Sequence, residues 1–569
     1  MQSEPVQSSW YLVLGRSPQP LSNVTWQDEG LAIVGITPGV GGQDRWVVVG
    51  DVWLSDRDGL LQGLEIDSAD WRGTDIDVVA RCWERSGVAA LQLLRGMFAM
   101  AIWDRHRQEL WLIRDRVGAR TLYTAQMGNI CYIAPRLKTL NPWRSSQLDL
   151  VALRDYLCCA FVPGERTLWQ DVRELRPGTY LQLPQGNASP YWQAPPPEWS
   201  DEAAPPLAWY GERLRSQLEV VTKACLPAGQ PVGVYLSGGL DSSCITALAA
   251  QFHQPPVHTY AIYFGAEYPN ELAFSSLVAA HCQTQHHVLE ITPQQLWQRL
   301  PETMSALDDP IGEPLTVPNL LLGQLARETV SVILNGEGGD PCFGGPKNKP
   351  MLLNSLYGQA ATPESDNPLL TAYLNSFQKC ASVLPQLLRP ELWQAVQAAP
   401  SVFAADLQAT DAYLNRLMEL NIKFKGADHI LTKVNNLTQA AGLQGRSPLF
   451  DSRIVELSRQ IPPAYKLAGA NEKAVLKAAV ADLLPASIVH RPKSGMMVPV
   501  QAWFYQLWNR QARSLLLNRR AAIAPYLNQA LIRQWLSYRG DVWRRYGAKL
   551  WLLVSLEIWL QANSDNLRH

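Results

Sequence analysis

The sequence predicts an α/β fold with a doubly wound, mostly parallel sheet, a β-rich region before it and a largely helical region after it. Three observations predict this. Strand and helix patterns alternate between residues 207 and 334. One of those strands runs through a glycine turn directly into a helix start. Beyond about Pro350 the strand signals fade. Alternating β and α segments are the pattern of a parallel sheet covered by helices on both faces.

The elements follow in order. Trp10–Leu14, Leu31–Ile36 and Trp46–Val49 are short apolar runs between turn residues and read as strands. Asp75–Ser86 and Ala89–Leu94 read as helices. Phe98–Trp103 and Leu110–Ile113 form a hairpin pattern around the polar turn Asp104–Gln108. Gln185–Pro206 contains Ala194-Pro-Pro-Pro197 and Ala204-Pro-Pro206, a composition typical of linkers. Domains are therefore expected at 1–190 and 207–569, joined by a Pro-rich linker at 191–206. Leu207–Cys225 is an amphipathic helix pattern, Val232–Leu236 a buried strand and Cys244–Ala250 a helix. His258–Phe264, His286–Ile291 and Val330–Leu334 are further strands, with helices at Leu272–His281 and Leu320–Thr329. His286 and His287 are adjacent in a strand and point to opposite faces, which speaks for a structural role rather than a metal pair.

Composition narrows the function classes. The net charge of -1 gives no electrostatic footprint for nucleic acid or an anionic membrane. No apolar stretch is long enough to span a bilayer, and Met-Gln-Ser-Glu-Pro is not a signal-peptide start. The nine cysteines are scattered without metal-type spacing, which suits a reducing cytoplasm. Tryptophan is abundant, at 21 residues, and no function in the sequence calls for it.

The chemistry concentrates in two glycine-rich turns. After Val232–Leu236 come Ser237, Gly238 and Gly239, then Asp241, Ser242 and Ser243 at the helix start. Such a turn lets backbone N–H groups approach a phosphate, and the helix dipole favours the negative charge. Asp241 cannot attract bare phosphate, so its expected task is a bridging cation. Gly-Lys-Ser/Thr is missing, so this is not a Walker loop. Ser-Gly-Gly-Leu-Asp-Ser-Ser instead resembles the pyrophosphate loop of enzymes that cleave ATP to AMP and pyrophosphate. The second turn, Asn335–Gly345, carries Gly336, Glu337, Gly338 and Asp340 after another strand. Asp241 and Asp340 on neighbouring loops could share Mg²⁺. Asp308-Asp309 before Pro310 reads equally as a cation ligand or a solvated turn.

With these residues in view, the sequence resembles the glutamine-dependent asparagine synthetase family over nearly its whole length. The synthetase half is similar at Ser237–Ser243, Gly336–Asp340, Asp308–Pro310 with Glu313-Pro314, Lys433-Val-Asn435, Arg446–Asp451 and Arg491–Gly495. The N-terminal half is similar at Leu94–Ala99, at Arg114-Asp115 with Gly118, and at Leu168–Gly178. The resemblance implies an Ntn-type α/β/β/α sandwich joined to an ATP pyrophosphatase domain. It implies that Leu236 and Ile262 contact adenosine, and that Ser237, Gly238, Gly239, Asp241, Ser242, Ser243, Gly336 and Gly338 form the ATP and pyrophosphate site. It also implies Mg²⁺ at Asp241 and Asp340, with Lys493 and Glu337 as catalytic residues. Lys493 would stabilise charge on departing pyrophosphate, and Glu337 would orient or deprotonate the incoming amine.

The departures are in the glutaminase half and the acceptor pocket. Gln2 stands where the family has its N-terminal Cys nucleophile, and no cysteine precedes Cys82. Val49-Gly-Asp-Val-Trp-Leu54 replaces the family's Asn-Gly-Glu segment. Pro341-Cys342, Asn435 and Gln444 stand where acids or other residues are usual. The expected function is an AMP-forming amide ligase, soluble and cytoplasmic, using ATP and Mg²⁺. It would activate a carboxylate, by default aspartate, for attack by ammonia or an amine; the resemblance allows a homodimer. Two rivals stay open. One is a lasso-peptide-type or β-lactam-type cyclase, with a peptide or other substrate carrying its own amine. The other is a non-catalytic family member acting as a binding or regulatory subunit.

Overall fold

The computed structural model describes residues 10–15, 23–35, 40–41, 45–196, 204–345, 351, 367–408, 413–468, 471–492, 497–537 and 546–563. Two six-stranded antiparallel sheets form the N-terminal region. One has the order β10(Val172–Glu174)-β8(Tyr123–Met127)-β9(Ile130–Ala134)-β1(Trp10–Leu14)-β3(Leu31–Gly35)-β2(Val24–Gln27). The other has the order β12(Asn187–Pro190)-β11(Thr179–Leu183)-β7(Glu109–Arg114)-β6(Gly96–Asp104)-β5(Trp46–Leu54)-β4(Val40–Gly41). Strand residues alternate between the two faces of a sheet, and both faces here are apolar. Trp10, Leu12, Ile33, Val49, Ala101 and Leu112 fill the space between the sheets. Phe98, Met100, Ile102 and Trp111 face the other way, onto α1(Arg57–Gly63) and α2(Asp75–Ser86). Tyr123, Tyr132 and Ala134 face α3(Leu150–Cys159). The result is four layers: helix, sheet, sheet, helix.

The helix expected at Ala89–Leu94 is a 3₁₀ segment at Gly87–Gln92. Within the stretch read as a linker, Asn187–Pro190 is a strand paired with β11, and Tyr191 is buried with its hydroxyl donating to Arg114 O. Backbone pairing of this strand and the buried Tyr191 outweigh the local composition there.

The C-terminal sheet is five parallel strands in the order β15(Gln285–Glu290)-β14(Val257–Tyr263)-β13(Val232–Tyr235)-β16(Val332–Leu334)-β17(Gln444–Arg446). The helices α4(Leu207–Cys225), α5(Leu240–Phe252), α6(Leu272–His281), α7(Pro293–Ala306) and α8(Thr316–Arg327) lie between or before these strands. α8 begins at Thr316, four residues ahead of the expected start, because Pro318 fits in a first turn where no N–H is needed. The chain builds outward from β13 to β15, then crosses back to add β16 beside β13. Ligands bind in the crevice at the strand carboxyl ends where the order reverses. β17 was not expected; its three residues, Gln444–Arg446, are too few to show a strand period.

Most of the remaining described residues are helical, and the last described helix, Tyr546–Asn563, is buried along nearly its whole length. Trp103, Trp169, Trp503, Trp508, Trp551 and Trp559 are among the largest fully buried side chains, so the tryptophans fill core volume. His286 pairs with Thr259 Oγ1 at 2.9 Å and His287 with His258 at 3.0 Å, the structural role expected of them. Among the described residues, no helix is long and apolar enough to cross a membrane.

Candidate active site

A cleft of about 860 Å³ opens at the carboxyl ends of β13, β14 and β16. Its phosphate-side wall is the first glycine turn. Gly239 caps α5, so the N–H groups of the first helical turn face outward without intrahelical partners. Ser242 Oγ donates to Gly239 O at 3.2 Å and lies 3.2 Å from Ser237 Oγ, closing the turn on itself. The second turn meets the first at close range. A Cβ on Gly336 would stand 2.5 Å from the backbone nitrogen of Ser242. A Cβ on Gly339 would collide with the Asp241 carboxylate. Glycine is thus required by backbone approach, and Asp241 is held against the second loop. Asp340 lies in the first turn of α9(Gly339–Phe343).

The two carboxylates converge on one cation. Lys473 Nζ donates to Asp241 Oδ1 at 2.7 Å and lies 2.6 Å from Asp340 Oδ1. Its side chain is 4% exposed, and its φ of +56° is a left-handed conformation that costs a non-glycine residue energy. Nearby, Arg491 donates to Gly238 O at 2.9 Å and to Glu271 Oε1 at 2.6 Å, and its guanidinium stacks on Phe274 at 3.8 Å.

The opposite end carries a second ionic cluster. Lys433 Nζ donates to Glu313 Oε2 at 2.6 Å, and His429 Nε2 lies 3.2 Å from the same oxygen. Burial alone would raise the Glu313 carboxyl, but Lys433 and then His429 hold it well below the usual carboxylate range. Burial pushes the His429 imidazole down to about 4, so it is neutral at pH 7. Burial opposes the charge on Lys433, yet Glu313 and then Glu337 keep its ammonium protonated above the ordinary lysine range. Glu337 stands at the tip of the second loop, with its N–H donating to Asn335 Oδ1 at 3.0 Å. Asn335 in turn donates to Arg446 O, tying the loop to β17. Between the two ends, Leu236, Ile262, Leu322 and Leu437 make an apolar wall.

Residues 213–561, more than half of the chain, match the asparagine synthase family model. The chain belongs to the asparagine synthase family. Residues 44–192 match the model of a glutamine amidotransferase domain. Asparagine synthetase [glutamine-hydrolyzing] 1 of Bacillus subtilis is 25% identical over 529 residues, covering 86% of this chain and 81% of that protein. Asparagine synthetase [glutamine-hydrolyzing] 3 of the same organism is 26% identical over 444 residues, covering 74% and 70%. Asparagine synthetase B [glutamine-hydrolyzing] of Escherichia coli is 24% identical over 442 residues, covering 74% and 64%. The likeness therefore spans both halves of the chain. This asparagine synthase family member is an enzyme of the ligase class, an ATP-dependent amide ligase.

The cleft brings together Leu236, Ser237, Gly239, Asp241, Ser242, Ile262, Gly336, Glu337 and Asp340 of the residues expected there. Gly238, Ser243 and Gly338 are not on its wall. Gly238 and Gly338 have φ of +77° and +113° and pack against the backbones of Ser275 and Leu449. Ser243 is fully buried behind the turn. Lys493 lies outside the described residues. Asp308 is neither a cation ligand nor a solvated turn: it is 1% exposed and accepts from Arg136 and Asn436, since buried polar oxygens need hydrogen-bond donors. Asn435 is buried on the far side of its helix, where its amide oxygen accepts from Gln439. Lys473 was missed because no motif surrounds Asn471-Glu-Lys473 and its left-handed backbone is invisible in sequence. Glu313 and Lys433 sat within recognised segments, but nothing in the sequence shows that they pair.

Proposed function

We propose that this chain forms an amide from a carboxylate substrate, by default aspartate, and ammonia or an amine, without hydrolysing glutamine. Its two domains are taken as residues 1–190 and 207–569, joined at 191–206. The observation that carries this reading is the convergence of Asp241 and Asp340 on one cation position at the sheet's reversal point. That donor set, two carboxylates from two loops that share the Lys473 ammonium, fits a hard divalent cation such as Mg²⁺. Mg²⁺ held there would neutralise charge on a triphosphate.

The rest of the cleft supports the same chemistry. The apolar wall suits a nucleobase and ribose, and the first turn of α5 presents N–H groups to phosphate. A carboxylate oxygen of the substrate attacks the α-phosphorus of ATP, the bond to the β-phosphate oxygen breaks, and pyrophosphate leaves. Lys473 supplies positive charge where pyrophosphate departs, and the family resemblance gives Lys493 the same task. The amine lone pair then attacks the acyl carbon, the acyl–phosphate C–O bond breaks and AMP leaves. Glu337, which faces the Lys433 ammonium, accepts the proton lost from nitrogen.

The test is to supply Mg²⁺, ATP, aspartate and ammonium, with asparagine read by mass spectrometry. AMP, pyrophosphate and asparagine in equal amounts are expected. ADP as product overturns the pyrophosphate-loop reading. Pyrophosphate release that aspartate does not stimulate, even at high ammonium, moves the assignment to a cyclase whose substrate carries its own amine. Absence of any ATP turnover with all candidate acids points to the non-catalytic reading.

A further inference from the structure

The two ends of the cleft are supported by different parts of the molecule. The phosphate-side loops are held by each other, by Lys473 and by Arg491, all within the parallel-sheet region. The acceptor end is held from the N-terminal sandwich. Arg136 Nε donates to Asp308 Oδ1 at 2.9 Å, and Leu168 N to Asp309 Oδ1 at 2.8 Å. Gly312 N donates to Ala160 O at 2.8 Å, immediately before Glu313. Across the cleft floor, Gly164 N and Arg176 Nη1 each donate to Asp428 at 2.8 Å. The Phe161 ring stacks on the next residue, His429, with planes 8° apart and centroids 5.3 Å apart.

The segment so gripped is unusual. Asn421–Leu431 is wound as a π-helix, and the α-helix Thr432–Ala440 continues from it. Such widened turns place side chains that a regular helix would not, and they recur at functional sites. Here His429 and Lys433 both reach Glu313 Oε2. The helix beyond has two faces: Lys433, Val434 and Leu437 line the cleft, while Gln439 donates to Asp51 of β5 at 3.3 Å.

We propose that the N-terminal sandwich sets the acceptor end of the cleft, with Phe161 a positioning residue that acts through His429 on the Glu313–Lys433 pair. The stacked ring fixes the plane of the imidazole, the imidazole edge 3.2 Å from Glu313 Oε2 limits where that carboxylate can sit, and the carboxylate holds the ammonium beside Glu337. The ATP end is independent of this chain of contacts. The inference rests on the amide-ligase reading for its kinetic test only.

The experiment uses the full chain and three variants. Phe161→Ala removes the ring, Phe161→Leu keeps most of the bulk without an aromatic plane, and Arg176→Ala loosens Asp428. Hydrogen–deuterium exchange should rise in residues 421–440 and 308–316 and stay unchanged in 232–252. Steady-state kinetics with aspartate, ammonium and Mg·ATP should show KM for aspartate or ammonium up about tenfold and KM for ATP within twofold. Phe161→Leu should share the defect, since the plane and not the volume does the positioning. Equal exchange increases at both ends, no increase at either end, equal changes in all KM values, or full rescue by leucine would each overturn the proposal. If wild type releases no pyrophosphate, the amide-ligase reading fails, and the exchange pattern alone decides the positioning role.

Discussion

Lys473 Nζ lies 2.5 Å from Asp241 Oδ2 although 232 residues separate the two in sequence. The same ammonium reaches Asp340, so one lysine neutralises two acids that otherwise repel. Lys473→Met removes that shared charge from both. The expected cost is roughly 2–3 kcal/mol, less than a fully buried pair would give because Asp340 is a third exposed. Mg²⁺ should then raise the thermal midpoint of the variant by more than it raises wild type, because the lysine no longer competes for the carboxylates. An equal Mg²⁺ response in both proteins would show that the aspartates do not form a cation site.

Gly336→Ala tests the contact between the loops. The added methyl meets the backbone of Asp241 and Ser242, which cannot rotate away as a side chain can. We expect destabilisation of about 1–3 kcal/mol by overpacking and loss of nucleotide binding. Thermal melts and binding of a fluorescent ATP analogue measure both. Binding at wild-type affinity would mean that the loops can separate without consequence.

The legible part of this protein is its local part. Leu207–Cys225 and Leu272–His281 have the bounds expected from the sequence. The turn at Ser237–Gly239 is set by adjacent residues, so its sequence shows it. Glu313, His429, Lys433 and Lys473 are different. They are assembled by the crossover to β16, a π-helical stretch and a left-handed residue, none of which leaves a pattern within a window of neighbours. Asp308 misled for the same reason: its partner Arg136 belongs to the other half of the chain.

The His429 imidazole gives a pH signature. Its pKa is about 4 in the folded protein because of burial, against about 6.5 unfolded. Between these values the unfolded chain binds the proton and the folded chain does not. This contribution is therefore whole above pH 6.5 and is lost as pH falls toward 4, at no more than about 1.4 kcal/mol per pH unit. Glu313, Lys433 and Lys425 face the ring, and the held-down Glu313 adds acid sensitivity only below the ordinary carboxylate range. His429→Asn should flatten the dependence of the unfolding midpoint between pH 5 and 7. An unchanged slope would place the acid sensitivity elsewhere.

Glutamine alone should yield no glutamate. The Asp51 carboxylate, in the segment that replaces Asn-Gly-Glu, already accepts from Arg120 at 2.7 Å and from Gln439 at 3.3 Å. All nine cysteines are free, eight of them buried and Cys282 half-buried. Burial raises these thiols, Cys131 to about 12 and Cys282 to about 11, so none is a ready thiolate at neutral pH. Release of glutamate by purified protein above the protein-free rate would restore a glutaminase.

The two half-reactions should separate at Glu337. Its carboxylate stands at the loop tip, on the cleft wall with Lys433 and Glu313, whereas Asp241 and Asp340 grip the cation at the other end. A proton acceptor placed there serves the attack by nitrogen and not the attack on phosphorus. Glu337→Gln keeps the shape and removes the negative charge. Rapid-quench assays with aspartate and Mg·ATP should therefore still show a burst of about one pyrophosphate per site. Asparagine formation with ammonium should fall by about 10²–10⁴, the usual worth of a positioned general base. The deficit should narrow as pH rises, because free ammonia then needs no help in reaching its unprotonated form. If the variant loses the burst along with the product, Glu337 belongs to the adenylation step. If it makes asparagine at the wild-type rate, the base lies elsewhere in the cleft.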